Sequence, residues 1–210
     1  MPLIRAVLTV DQRGSRSGPD LVPEVLDALS SPALGPTALA FERTAGDEVQ
    51  GVLDGGAAIV SRLELLLRRG DWNIGLGLGP TEEPLPASTR AGRGEAFVLA
   101  RQAVTRAKQH STRLSIIGPG AVGPGQYSAE QIETVAWLWA GVLARRSVRG
   151  WEVADLLAGG ISHAEAAHRL EISQSAVSQR AQAAGLVEAD RAARLLADQL
   201  DQVLGKEVER

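Results

Sequence analysis

Five polar side chains near the carboxyl end, Gln174, Ser175, Ser178, Gln179 and Gln182, recur at a spacing that would set them along the outer side of one short helix. No carboxylate interrupts them. A glutamine amide carries a donor and an acceptor side by side, matching the edge of adenine, and a serine hydroxyl can bond either way. The set therefore suits reading base edges in the major groove of double-stranded DNA. Ser173 stands where it can cap such a helix, and Arg180, its single cation, would meet a phosphate. Together with those two residues the five make the candidate DNA-binding set. The plainer alternative is a three-helix interaction module, an adaptor whose Gln and Ser side chains are merely solvated.

A second group capable of chemistry lies near the amino end. Asp11 follows a β-branched, apolar run, and Asp47 with Glu48 falls in a turn between two more strand-like runs. If a palm-type sheet brings Asp11 and Asp47 together, two carboxylates could hold Mg²⁺ and, through it, a triphosphate. Gly14 and Ser15 could then present backbone N–H groups to phosphate. Asp and Gly also simply make good turns, and spacing alone favours that account. The three histidines all lie beyond residue 109 and form no cluster with these acids.

These residues need elements to hold them. Around the polar set, Ser162 and Glu165 have the spacing of a capping box, and Ala166, Ala167 and Leu170 give a first helix a small inner face. Ile172 plugs a tight turn, while Val177, Ala181 and Ala184 face inward from the second helix, which Gly185 is placed to end. The pattern over residues 162–185 is that of a helix-turn-helix. Towards the amino end, residues 3–10, 38–53, 72–78 and 114–117 read as strands, and residues 21–29, 57–69 and 95–108 as helices. The order is that of an α+β sandwich of ferredoxin-like or palm type over residues 1–117. A Gly/Pro linker follows at 118–127, and residues 128–210 form a small all-α domain. There Ser128 and Gln131 predict another capping box, and Trp137, Trp139 and Trp151 are expected to pack the junction. The last helix, with Leu195, Leu196, Leu200 and Val203 along one stripe, suits core packing or a dimer contact.

Composition narrows the class. The chain has 210 residues and a normal apolar share of 44%, but only 3% aromatic residues, so Leu, Val, Ile and Ala must build the core. The absence of cysteine excludes disulfides, thiolate metal sites and a cysteine nucleophile. A formal charge of −3 argues mildly against non-specific nucleic-acid binding by the whole molecule. DNA contact would then rest on a few placed groups and on two copies, as in a homodimer. MPLIRAVLTV lacks a charged leader, and no apolar run approaches the roughly 20 residues that cross a membrane, so a soluble cytoplasmic protein with no membrane partner is expected.

Two resemblances sharpen these expectations. AAHRLEISQSAVSQRAQAAGL resembles helix-turn-helix domains of the MarR-like and sigma-region-4-like bacterial type, with Ala167 at the small position and Ile172 and Val177 at the apolar plugs. Glu171 departs from that motif, which usually has Gly in the turn; a left-handed backbone is unfavourable for Glu, so an altered turn is expected. VDQRGSR, the hairpin AGDEVQG, the strand IGLGLG and the helix GEAFVLARQAV together resemble the SatD family, and more distantly the palm of class III nucleotide cyclases and GGDEF proteins. That resemblance implies metal positions at Asp11 and Asp47 and a nucleotide-binding role for Arg101 beside Gly14 and Ser15. It also shows losses. Phe97 stands where a cyclase places Asn, and Val49 stands where GGDEF has its aromatic, which removes a polar orienting group. The expectation is a DNA-binding transcriptional regulator with a degenerate palm that senses a nucleotide or dimerises. The alternative is a Mg-dependent nucleotide cyclase or nucleotidyl transferase with an accessory DNA-binding module.

Overall fold

A computed structural model describes residues 3–121 and 127–206, and the fold is α+β. The strands are β1 (Ile4–Gln12), β2 (Leu39–Arg43), β3 (Glu48–Leu53), β4 (Trp72–Pro80) and β5 (Leu114–Ile117). They form one sheet in the order β2-β3-β1-β4-β5. Every neighbouring pair is antiparallel except β4 with β5. The helices α1 (Val22–Leu29) and α2 (Gly56–Arg69) connect β1 to β2 and β3 to β4. Each of those parallel pairs is split by an antiparallel strand, which is the ferredoxin-like connection. A third crossover through α3 (Glu95–Ala107) then adds β5 beside β4.

Strand alternation divides the side chains between two faces. Ala6, Leu8 and Val10 of β1, and Trp72, Ile74, Leu76 and Leu78 of β4, point to the larger core. Val7 and Val52 point the other way, against Ala96 and Ala100 of α3. On that second face β4 carries Asn73 and then only glycine, and Gly75 and Gly77 let the backbone of α3 approach closely. A Cβ at Gly75 would lie 2.6 Å from Val104 Cα and 2.7 Å from the Ala100 carbonyl oxygen. The alternation of WNIGLGL is thus large-in on one face and, beyond Asn73, bare on the other.

The carboxyl-terminal helices are α4 (Ala129–Leu143), α5 (Val148–Ala158), α6 (His163–Arg169), α7 (Gln174–Ala183) and α8 (Leu186–Leu204). The boundary expected near residue 118 does not separate two cores. Ile132, Ala136, Trp139 and Leu143 of α4, with Leu196, Leu200 and Leu204 of α8, share one buried cluster with the sheet and α2. The stripe on the last helix is therefore packing within the chain, and of its leucines only Leu195 remains exposed. Half of the linker expected at 118–127, residues 122–126, falls outside the described residues.

α4 also closes an edge of the sheet. An edge strand presents unpaired backbone groups that need partners. Here the buried Glu133 carboxylate accepts the Ile116 N–H at 2.7 Å and also takes Arg106. Trp137 Nε1 donates to the Leu114 carbonyl oxygen at 2.8 Å and its ring stacks on His110. The Ser128 capping box is complete, with Ser128 Oγ and Gln131 Oε1 each accepting the other's backbone N–H. α8 in turn caps α2: Asp201 Oδ1 accepts the Gly56 N–H at 2.7 Å, where α2 has no side-chain cap of its own.

Candidate functional site

α5, α6 and α7 fold around a small core of Val153, Ala166, Ala167 and Val177, sealed by Ile161, Leu170, Ile172 and Ala181. Each helix opens on a serine cap. Ser147, Ser162 and Ser173 accept the N–H of Gly150, Glu165 and Ala176, each at 3.1 Å. The capping box expected at Ser162 is only half made, because the Glu165 carboxylate turns to Arg169 at 2.8 Å. That bond and the charge of Arg169 hold the Glu165 carboxyl below the usual carboxylate range. Gly185 ends the α7 turn with a left-handed φ of 60°.

The turn between α6 and α7 is not altered as its missing glycine suggested. Glu171 itself takes the left-handed conformation, φ 52°. Tertiary contact explains it: the Ile172 N–H reaches back to the Ala167 carbonyl at 3.1 Å, and Ile172 is drawn into the core. A non-glycine residue there costs roughly 1 kcal/mol, so Glu171→Gly should raise stability by about 0.5–1 kcal/mol in urea titration. An unchanged or lower midpoint would show the backbone is not strained.

Ser173, Gln174, Ser175, Ser178, Gln179 and Gln182 are all exposed, and Arg180 is half-buried. The hydroxyls are engaged locally. Ser173 shares a hydrogen bond with Ser175 at 2.9 Å, and Ser178 donates to the Gln174 carbonyl at 3.2 Å. Among the described residues, the amides of Gln174, Gln179 and Gln182 make no side-chain hydrogen bond. They stand on a rigid, capped helix with nothing folded over them.

Charge around this ridge is sparse. Residues 148–185 hold three arginines against four carboxylates, a formal −1 with histidines neutral. Arg146, which with Arg145 and Arg149 forms a short basic run ahead of α6, does not face outward. Its side chain is 5% exposed, pairs with Glu64 at 3.7 Å, and donates to the Ala184 carbonyl at 2.9 Å. Arg68 and Arg146 lie over the ring of Trp151, at 4.5 and 4.6 Å from its centroid. Arg68 also grips Asp155 through two bonds of 2.7 and 2.8 Å. Burial pushes the Glu64 carboxyl above its ordinary range, against the opposing pull of Arg146 and Arg68. This cluster fastens α5 to α2, so the three tryptophans lie where the sheet layer meets the helices.

The amino-terminal group also assembles, in a different sense from that expected. Asp11 is not beyond the first strand but inside it, paired with Glu48 on β3 and Asn73 on β4. A strand with partners on both sides stays extended until the pairing ends. Asp11, Gly14, Ser15 and Asp47 all line one open basin of about 850 Å³. Asp11 accepts from Lys108 Nζ at 2.9 Å and from Asn73 Nδ2 at 3.2 Å, while Asp47 accepts from Ser15 Oγ. Arg101 is not brought there. It is exposed on α3, beside a separate hollow formed with Gln102, Thr105, Arg106 and Gln109. Helix rotation decides this, because Ala100, Val104 and Ala107 must face the sheet.

The basin is a poor fit for Mg²⁺. Five cations (Arg13, Arg16, Arg43, Lys108 and Arg113) line it against three carboxylates (Asp11, Asp20 and Asp47). Asp11 is already paired with Lys108, and Asp20 with Arg43. No group of three or more His, Asp or Glu is placed to hold a metal among the described residues. Its lining suits an anion. Gly14 has a left-handed φ of 69°, and the Ser17 and Gly18 N–H groups both turn back to its carbonyl oxygen. Arg113 also holds a left-handed φ of 55° at the rim. Sequence reading missed Asn73, Lys108 and Arg113; they arrive from β4 and from the α3–β5 turn, far from Asp11 in the chain, and no local motif marks them.

No family model matches the chain, and no curated protein matches it. Among the described residues no helix is long and apolar enough to cross a membrane.

Proposed function

We propose that this protein is a sequence-specific DNA-binding regulator, in which a SatD-like palm carries a helix-turn-helix and two copies act on one site. The observation that supports it is the row of three unengaged amides on α7, exposed on a helix capped by Ser173 and held by Val177, Ile172 and Ala181. Such a row gains most where each amide finds a base edge, since a well-aligned bidentate pair discriminates by about 1–3 kcal/mol. With a formal −1 over residues 148–185, binding leans on those pairs and little on bulk attraction to phosphate. Gel-shift titration against genomic fragments tests the reading. Gln179→Ala should weaken retained complexes by about tenfold to a hundredfold. Binding untouched by that change, or no retained fragment at all, would remove the assignment.

The basin supports a second role beside the first: a phosphorylated effector such as a nucleotide, held by Lys108, Arg13, Arg16 and Arg113 without a resident metal. Removing one charge partner from such a contact weakens it by about 2 kcal/mol or more. Calorimetry with a nucleotide panel should give heat that Lys108→Ala diminishes and EDTA leaves unchanged. Silence from every nucleotide would end this role, and turnover of ATP or GTP in the same cell would make the palm an enzyme instead.

A further inference from the structure

The α7 ridge carries a statement about the DNA sequence itself, and it rests on the DNA-binding reading above. At about 100° per residue, Gln174, Ser178 and Gln182 lie within about 80° of one another, and Ser175 and Gln179 extend the arc to about 140°. Arg180 falls about 100° past Gln179, on the flank beside the buried Val177, where its half-buried side chain is outside the arc. The serines of the arc each make a local bond already: Ser175 with the cap residue Ser173, and Ser178 to a helix carbonyl. The three glutamine amides are the unengaged side-by-side donor and acceptor pairs left to meet a base.

The chemistry of each base then sorts the possibilities. Guanine offers two acceptors, best met by a cation, and α7 has none on the arc. Cytosine offers a donor, best met by a carboxylate, and α7 carries no carboxylate. Adenine offers an acceptor and a donor side by side, which one amide satisfies in full. Gln174 and Gln182 are separated by eight residues, hence by about 12 Å along the axis. With bases about 3.4 Å apart, that reach covers about four base pairs.

We infer that each copy of α7 reads a half-site of about four base pairs in the major groove, recognised through adenine. So short a half-site is not unique in a genome, which is why two copies are needed on one operator.

Selection of the full-length chain on a random duplex library, followed by sequencing, tests this. The expected product is a motif with two or more A·T pairs in a four-base-pair window, repeated at about one helical turn. Replacing a read adenine by guanine should weaken binding about tenfold to a hundredfold. Gln179→Arg should move the preference at one position from adenine to guanine, a gain that a misfolded variant cannot produce. A G·C-only core, or retention with no motif, would overturn the inference while leaving DNA binding standing. Recovery of no duplex under low salt would overturn both.

Discussion

Gly77→Ala is expected to destabilise the protein by about 3 kcal/mol or more, a large and clearly resolved drop in the urea midpoint. A Cβ at Gly77 would lie 2.8 Å from Ala100 Cα and would overlap the Ala100 nitrogen and the Ala96 carbonyl oxygen. Those atoms belong to the hydrogen-bonded backbone of α3 and cannot rotate aside as a side chain would. The helix must lift as a unit, opening the small core of Val7, Val52, Ala96 and Ala100 beneath it. Overpacking ordinarily costs about 1–3 kcal/mol, and a backbone clash belongs at or above the top of that range. Against a total stability of about 5–15 kcal/mol that is a large fraction. Gly79→Ala is the control. Its Cβ would stand 3.2 Å from the Ala96 nitrogen, near the open end of the contact, and about 1 kcal/mol or less is expected. Equal midpoints for the two variants would mean that α3 does not lie on β4 this closely.

Trp139→Ala should cost about 3–5 kcal/mol, the range for deleting a buried aromatic side chain. Trp139 is 1% exposed, in the cluster that α4 and α8 share with α2 and the sheet. Because that cluster is continuous, the loss should appear in every probe at once. Hydrogen exchange at the β4 amides and helical circular dichroism should report the same reduced stability. A variant that melts its helices while β4 stays protected would restore two independent cores. The sheet layer and helices α5–α7 meet beside this same layer, where Arg68 and Arg146 both lie over the Trp151 ring.

Much of the secondary structure was legible in the chain. Strand alternation in LIRAVLTV and WNIGLGL, and helical spacing over residues 57–69 and 95–108, led to the elements observed, with ends displaced by a few residues. The ridge was legible for the same reason: a capped helix with Val177 and Ala181 on one side leaves Gln174, Gln179 and Gln182 on the other. Asp11, Gly14, Ser15 and Asp47 were also foreseen as neighbours, since they lie at or just beyond the ends of two adjacent strands. Their meaning was not, because it depends on cations that come from elsewhere. Lys108 and Arg113 sit about a hundred residues away along the chain, and only the β4–β5 pairing delivers them to Asp11.

Local periodicity, caps and turns determined by themselves the order of strands and helices and the polar row on α7, because each depends on residues a few positions apart. Tertiary structure alone decided the rest: that the terminal helix is core, that Arg146 faces Trp151 and not solvent, that Arg101 stays clear of the basin, and that Glu171 accepts a left-handed backbone. Each of these is settled by which distant surfaces must be buried together. Burial competes across the whole chain, and no window of a dozen residues contains that competition.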